Sequence, residues 1–325
     1  MLFRVILAAF AVEMAAPAPA HAQPGWHVVD AGAGTPAAPS TTIKPVRTSL
    51  RFVRETLRLL ALGGSSSASG GAAASGTGVA TAKVAGPVVF EITVINGDIV
   101  VKSGAKHAVE VRVSGKQTVS LQTHGKRRMT AELGLGGPIL NGDVWIELPR
   151  GSDVVIESIN GDVTVGGVGG DAQIEAVSGD VTVKDAGKSS VSAVNGDVSL
   201  TKVAGDVTVE TVSGDTTIHT VPRADSRLRF DSTSGSLAWF GLCGNGCRIE
   251  AQTLAGNLEL HLDANSSFDV VFEAFSGGIV DKLGLGSKDD RGRSGVGRVV
   301  KGRYGKGAGK IDVGAHSGDL LLVKK

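Results

Sequence analysis

The stretch that decides the fold runs from Ile159 to Thr217 and reads INGDVTVGGVGGDAQIEAVSGDVTVKDAGKSSVSAVNGDVSLTKVAGDVTVETVSGDTT. A short word recurs in it: a Gly-Asp pair, mostly preceded by Asn, Ser or Ala and followed by alternating apolar and polar residues. The aspartates are Asp162, Asp171, Asp180, Asp197, Asp206 and Asp215, and their successive spacings are 9, 9, 17, 9 and 9 residues. A period of about 18 residues, with a half-period of about 9, is typical of a solenoid.

The positions of the apolar residues within each word predict a strand and a corner. Val163 and Val165 lie one and three residues after an aspartate, and side chains two residues apart share one face of a strand. Further apolar residues lie three positions before an aspartate: Ile159, Val177, Val194 and Val212. Because nine is odd, alternation fails once per half-repeat, and Gly-Asp suits the resulting corner. We expect the Val and Ile residues to form one buried ladder between stacked turns.

The same rhythm extends beyond the regular block and sets the limits of the folded domain. Asn96-Gly97-Asp98 precedes the block, and words without the aspartate follow it, such as Ser234-Gly235-Ser236. The sequence therefore predicts an all-β fold over residues 88–325, a β-solenoid (β-helix-like) with turns of about 18–21 residues. Lys324 and Lys325 are expected to protect an exposed last strand from edge pairing.

The first 87 residues have a different composition, and we expect them to lie outside the solenoid. Residues 1–22 are typical of a secretory signal peptide, with a short apolar run and an Ala20-His21-Ala22 cleavage site. Residues 23–87 are predicted to be a low-complexity leader, within which residues 63–78 form a flexible Gly/Ser/Ala linker.

A short amphipathic helix is predicted near residues 49–62 of this leader. Leu50, Val53 and Leu57 recur at helical spacing, and arginines at positions 51, 54 and 58 add positive charge. Such a helix can cap the open end of a solenoid, or it can make a peripheral contact with an anionic membrane surface. The sequence leaves both interpretations open.

The overall charge gives little indication of a partner. The chain has 325 residues and a formal net charge of +1, so composition offers no electrostatic reason to expect nucleic acid. No apolar run is long enough to predict a transmembrane segment, and we expect an exported protein that is periplasmic, at the cell surface or secreted. Residues 284–309 are Gly-rich and basic, and they predict either a solvated loop or a contact with anionic glycans.

The two cysteines of the chain are Cys243 and Cys247, in the sequence C-G-N-G-C. In an oxidising compartment this spacing favours a disulfide across a tight turn. A metal site would need two further ligands, and neither His nor Cys lies nearby in sequence. We therefore expect a disulfide, no metal and no cofactor.

The chain resembles the bacterial putative-adhesin family, exported β-strand-repeat proteins whose domain has no assigned function. The resemblance lies in VWIELPRGSDVVIESINGDVTV at residues 144–165, in the repeated V-[SN]-G-D words, and in GKIDVGAHSGDLLLV at residues 309–323. It implies a β-solenoid, a surface or periplasmic location and an adhesive role. It supplies no catalytic residues.

Aspartates and hydroxyl-bearing residues alternate in the words, and they supply the candidate binding residues. The candidates are Asp162, Thr164, Asp180, Thr182, Asp206 and Thr208. An outward face of this kind would suit a repetitive polysaccharide or ice, and its simplest alternative is a solvated sheet face with turn-forming aspartates. Calcium-binding β-rolls also repeat at nine residues, but they use G-G-x-G-x-D-x-U-x, and Gly-Gly-x-Gly occurs here only at residues 166–169.

No motif in the chain indicates catalysis. The seven histidines are scattered without H-E-x-x-H, and G-x-S-x-G is absent. The repeats are too short to form the long loops on which β-helix glycan enzymes place converging carboxylates. We expect a non-enzymatic binding, adhesion or structural module of the bacterial cell envelope, with an envelope polysaccharide or a surface ligand as partner. The alternatives are a parallel β-helix polysaccharide-active enzyme and a calcium-binding β-roll-like module.

Overall fold

The fold is built from strands over the part of the chain that the structure describes. In the computed structural model these are residues 72–125, 127–133, 138–285, 288–291 and 298–325. The predicted signal peptide, the predicted helix near residues 49–62 and the first part of the predicted linker lie outside these ranges. Among the described residues, no helix has the length and apolarity needed to cross a membrane.

The described residues form 26 strands. The first thirteen are β1 (Ala72–Thr77), β2 (Val79–Lys83), β3 (Val89–Asn96), β4 (Ile99–Ser103), β5 (Ala108–Val113), β6 (Thr118–His124), β7 (Arg128–Leu133), β8 (Val144–Leu148), β9 (Ser152–Asn160), β10 (Val163–Gly166), β11 (Gly169–Ser178), β12 (Val181–Lys184) and β13 (Ser189–Asn195). The others are β14 (Val198–Val203), β15 (Val207–Ser213), β16 (Thr216–Thr220), β17 (Arg227–Ser234), β18 (Leu237–Gly241), β19 (Arg248–Ala255), β20 (Leu258–Leu262), β21 (Phe268–Ser276), β22 (Ile279–Asp281), β23 (Lys288–Arg291), β24 (Arg298–Tyr304), β25 (Gly309–Ser317) and β26 (Leu320–Lys324).

The strands form two sheets, and consecutive strands of the repeat alternate between them. Sheet A has 14 strands in the order β1-β6-β7-β3-β9-β11-β13-β15-β17-β19-β25-β21-β24-β23. Sheet B has 12 strands in the order β2-β5-β8-β4-β10-β12-β14-β16-β18-β20-β26-β22. From β9 to β20, each turn therefore adds one strand to sheet A and the next strand to sheet B.

Neighbouring turns stack in parallel and in register. Thr164 in β10 is paired with Thr182 in β12, and Thr182 is paired in turn with Ser199 in β14. Residues at one position of successive turns consequently form a row along the solenoid, with neighbours about 4.8 Å apart. The β-solenoid predicted from the repeat is confirmed.

Burial follows the alternation that each strand predicts. In β10, Val163 and Val165 are buried and Thr164 is not. Buried residues of both sheets form one core, which is rich in Val and Ile in the regular block and in Phe, Trp and Leu towards the C-terminus. The stacked turns thus bury a continuous apolar ladder between the two sheets.

One part of the predicted ladder was wrong. Ile159, Val177 and Val212 are half-buried on the outer face of sheet A, and only Val194 among the four is counted with the buried residues, at 8% exposure. The inward position is one residue earlier and carries small side chains, such as Ser158. Because small residues carry little apolar signal, the sequence pattern pointed to the larger outward neighbours instead.

The solenoid begins earlier than predicted. β1 and β2 cover residues 72–77 and 79–83, which belong to the predicted leader and, in part, to the predicted linker. β1 pairs antiparallel with β6 of sheet A, and β2 pairs antiparallel with β5 of sheet B. The backbone hydrogen bonds of such pairing need no particular side chains, which is why an Ala, Gly and Ser composition conceals them.

The C-terminal turn lies inside the stack instead of at its end. β25 lies between β19 and β21, and β26 lies between β20 and β22. The prediction that Lys324 and Lys325 mark an exposed last strand was therefore wrong. The basic segment 284–309 also differs from the predicted loop, because β23 and β24 within it form an antiparallel extension of sheet A.

Candidate functional site: corners and outer faces

In the regular block, the glycine that precedes each strand of sheet B makes a corner between the two sheets. Gly161, Gly179 and Gly196 have φ angles of 128°, 123° and 130°. A Cβ atom on Gly179 would lie 2.2 Å from the carbonyl oxygen of Gly161 in the preceding turn. Both the positive φ and the close backbone approach exclude larger residues, so the corner requires glycine.

At these corners, the aspartate that follows the glycine links its own turn to the next one. The backbone N–H of Asp180 donates to Oδ1 of Asp162 at 2.8 Å, and that of Asp197 donates to Oδ1 of Asp180 at 2.8 Å. The N–H of Asp215 donates in the same way to Asp197 at 2.8 Å. The aspartates therefore form turns and satisfy a backbone donor that the corner would otherwise leave to water.

The series of corner hydrogen bonds continues through repeat words that have no aspartate at this position. Ser236 N–H donates to Asp215, Asn257 N–H donates to Oγ of Ser236, and Asp319 N–H donates to Oδ1 of Asn257. Serine and asparagine thus replace aspartate as hydrogen-bond acceptors at the same position of the turn. The position requires a short side chain with an acceptor oxygen, which is a looser rule than the Gly-Asp word suggested.

The need for an acceptor oxygen predicts how substitution of one corner aspartate changes the free energy of unfolding. Asp180→Ala should lower the free energy of unfolding by about 1 kcal/mol, because the N–H of Asp197 loses its acceptor at a corner that water can reach. Asp180→Asn should change it by less than about 0.5 kcal/mol, since the amide oxygen can accept the same bond. Equilibrium urea unfolding measures both values. Equal losses in the two variants would show that the negative charge, and not the acceptor, stabilises the corner.

The six candidate binding residues do not share one face. Thr164 and Thr182 lie side by side on the outer face of sheet B, with Asp162 and Asp180 at the adjacent corner. Thr208 lies on β15 in sheet A, where its neighbours are Ser190 and Arg229. The split follows from the half-period of nine residues, because consecutive words enter alternate sheets.

A row of hydroxyl groups runs along the outer face of sheet B. Its four members are on β10, β12, β14 and β16, in register, and all are half-buried: Thr164, Thr182, Ser199 and Thr217. We call these residues the hydroxyl row. The four exposed aspartates of the same turns flank it: Asp162, Asp180, Asp197 and Asp215. Ser199 and Thr217 each follow a Gly-Asp aspartate by two residues, as Thr164 and Thr182 do, so the period of the words marks all four members.

Aromatic rings form a second row on the same face. The ring of Phe240 is stacked between those of His219 and His261, with centroid separations of 4.2 Å on each side. Burial lowers the pKa of His219, and the positive charges of Lys325 and His261 lower it further. His219 is therefore expected to be neutral at pH 7, so this end of the face can contribute apolar and hydrogen-bonding contacts.

Metal ligands do not cluster in the described part of the chain, and the groove near β2 and β7 has no carboxylate among its described lining residues. No group of three His, Cys, Asp or Glu residues is placed to hold a metal ion in the described ranges. A groove of about 550 Å³ near β2 and β7 has Lys83, Arg127 and Arg128 among its described lining residues, but neither carboxylate nor histidine. Paired carboxylates of the kind that glycosidases need are therefore missing from this groove.

A disulfide lies on the turn before β19. Cys243 and Cys247 are joined with an S–S distance of 2.06 Å, and both residues are buried. A Cβ atom on Gly309, at the start of β25, would lie 2.8 Å from Sγ of Cys243. The disulfide therefore packs against the inserted C-terminal turn and forms part of the buried core of the solenoid.

The match to a protein-family model agrees with this architecture. The family model described as Toastrack DUF4097 matches residues 90–322, and no curated protein matches the chain. A solved structure described as a putative cell adhesion protein from Clostridium sporogenes ATCC 15579 is similar at 13% identity, with 77% of this chain and 100% of that chain covered and a TM-score of 0.25. The family match spans most of the solenoid, and it confirms the resemblance seen in the sequence: the chain belongs to the Toastrack DUF4097 family, a domain of unknown function.

Proposed function

We propose that the protein is an exported, non-enzymatic binding module of the cell envelope that holds a linear polysaccharide along the outer face of sheet B. The register of the hydroxyl row carries the proposal. Four consecutive strands present a hydroxyl group at the same position, and each turn adds a corner carboxylate beside it. A polymer whose own hydroxyl groups repeat along its length can bind such a row at several points at once.

The shape of the face favours a polymer over a small molecule. Small-molecule sites are concave and surround their ligand, whereas the hydroxyl row extends in a line over about 14 Å, three strand spacings. Each hydroxyl–hydroxyl hydrogen bond contributes only about 0.5–1.5 kcal/mol to the binding free energy, so useful affinity requires contacts with several members of the hydroxyl row. The aromatic stack of His219, Phe240 and His261 continues the same face towards the C-terminal turns.

The placement of the carboxylates supports a non-enzymatic role. The corner aspartates are spread along one edge, and each accepts a backbone N–H from the next turn. General acid–base catalysis would require two carboxylates converging on one bond. The family supplies a fold and no activity, and the similar solved structure is itself described in terms of cell adhesion.

The proposal predicts that removing hydroxyl groups from the hydroxyl row weakens binding. The purified full-length protein is tested against insoluble cell-wall fractions and an array of bacterial polysaccharides. Thr164→Val, Thr182→Val and Thr217→Val are combined in one variant, which keeps the shape of each side chain and removes three hydroxyl groups. Loss of about 2 kcal/mol or more, equivalent to a rise in Kd of roughly 30-fold, is expected.

The matched control removes three hydroxyl groups from the other sheet. The control variant combines Ser190→Ala, Thr208→Val and Thr233→Val, and all three positions are on the outer face of sheet A. It should leave the Kd within about twofold of the wild-type value. Equal weakening by both variants would contradict the assignment to sheet B. Absence of binding to every polymer would reject the binding function, and turnover of any polymer in the panel would establish the enzymatic alternative.

A further inference from the structure

The outer face of sheet A carries an apolar row beside an acidic row. The apolar row consists of Ile159, Val177, Val194 and Val212, on β9, β11, β13 and β15. The glutamate row lies two residues earlier on three of these strands and consists of Glu157, Glu175 and Glu210. Since residues two apart on a strand share a face, the two rows run side by side along the solenoid.

The charge of the glutamate row is not neutralised by its own strands. Neither Lys nor Arg occurs in β9, β11, β13 or β15. Burial raises the pKa of Glu175, and the neighbouring charge of Glu157 raises it further. Oε2 of Glu210 is shielded from solvent and has no hydrogen-bond partner among the described residues. A cationic partner would therefore be stabilised at this row.

The predicted helix at residues 49–62 has the complementary pattern. At 100° per residue, Leu50, Val53, Leu57 and Leu60 fall within about 80° of the helix surface. The arginines at positions 51, 54 and 58 fall within about 60° directly beside that stripe. The segment thus pairs an apolar stripe with an adjacent cationic stripe, as the sheet pairs an apolar row with an adjacent anionic row.

The connecting chain is long enough to bring the two together. Nine residues, 63–71, separate the segment from β1 at the edge of sheet A and can span about 30 Å when extended. β1 is four strand positions from β9, about 19 Å away. A helix of 14 residues is about 21 Å long, which is enough to span the roughly 14 Å from β9 to β15.

We propose that residues 49–62 form a helix that docks across β9, β11, β13 and β15 on the outer face of sheet A. Its Leu and Val side chains pack on the apolar row, and its arginines pair with the glutamate row. The helix then covers one face of the solenoid and leaves the hydroxyl row on the other face free. This assigns the basic amphipathic segment to the protein's own surface instead of a membrane or the open end of the stack.

Amide hydrogen exchange of the purified full-length protein, followed by mass spectrometry, tests this docking. Residues 49–62 should exchange at least about tenfold more slowly than an unstructured peptide, because docking protects their N–H groups. Glu175→Lys with Glu210→Lys should abolish the protection. The matched control, Glu147→Lys with Glu259→Lys, changes two carboxylates of sheet B and should retain it.

A charge reversal on the helix makes the test independent of solenoid folding. Arg54→Glu with Arg58→Glu lies outside the sheets and should also abolish the protection. Combining it with Glu175→Lys and Glu210→Lys should restore at least part of the protection, since each new pair has opposite charges again. Exchange at the unstructured rate in the wild-type protein would overturn the proposal. So would protection that appears only with phosphatidylglycerol vesicles, or equal release by the sheet B control.

Discussion

Gly179→Ala is expected to lower the free energy of unfolding by roughly 3–5 kcal/mol, one of the larger effects available to a single methyl group. The residue has a φ of 123°, where an L side chain is strained. The added Cβ would also meet the carbonyl oxygen of Gly161 at 2.2 Å, and that oxygen belongs to the backbone of the adjacent turn. Thermal unfolding followed by circular dichroism should show a fall in Tm of about 10 °C.

Gly166→Ala is the matched control for this corner variant. Gly166 is the last residue of β10, and a Cβ atom there would approach only the carbonyl oxygen of Val101, at 4.0 Å. The substitution should therefore be neutral or stabilising by up to about 1 kcal/mol, since alanine restricts the unfolded chain. If Gly179→Ala were tolerated as well as Gly166→Ala, the close stacking of the corners would be incorrect.

Trp239→Ala is expected to lower the free energy of unfolding by about 3–5 kcal/mol. Trp239 lies on β18 with 0% exposure, and it belongs to the core between the two sheets. Truncation leaves a large cavity, because the backbone of the paired strands on either side holds the space open. Equilibrium denaturation in urea measures the loss.

Trp239→Phe separates volume from hydrogen bonding at the same position. The indole Nε1 of Trp239 is buried and has no hydrogen-bond partner among the described residues. Phenylalanine removes this unsatisfied donor while it keeps most of the apolar contact, so a loss below about 1.5 kcal/mol is expected. A loss as large as that of Trp239→Ala would mean that the indole N–H has a partner or that the pocket tolerates no change of shape.

The fold was predictable from the sequence because the same types of residue recur at equivalent positions of successive turns. Val163 and Val165 follow the corner with strand alternation, and the same residues recur 18 positions later as Val181 and Val183, in register on the next strand. The corner glycines were identifiable for the same reason, since the positive φ that they supply is a requirement of each turn.

The assignment of faces was less predictable, for a geometric reason. The half-period of nine places Thr182 in sheet B and Thr208 in sheet A, although both follow a Gly-Asp pair by the same number of residues. The words at Asp180 and Asp206 are therefore similar in sequence, although the first leads into sheet B and the second into sheet A. Only the strand pairing distinguishes them.

The ends of the solenoid depend on pairing that side chains do not specify. β1 has the sequence AAASGT and joins sheet A through antiparallel backbone hydrogen bonds with β6. The insertion of β25 between β19 and β21 reverses the chain order of two turns, although each turn has the local pattern of the others. Local patterns predict strands, whereas the order of turns is decided by which edge each strand meets.

The central claim is that the repeat word is a stacking corner, so that its aspartates act as acceptors of backbone hydrogen bonds. The most direct test replaces four of them at once by asparagine: Asp162, Asp180, Asp197 and Asp215. Equilibrium unfolding should give a free energy within about 1 kcal/mol of the wild-type value, because each amide oxygen can accept the bond that the carboxylate accepted. Loss of several kcal/mol, comparable to that of the corresponding four alanine substitutions, would contradict the claim.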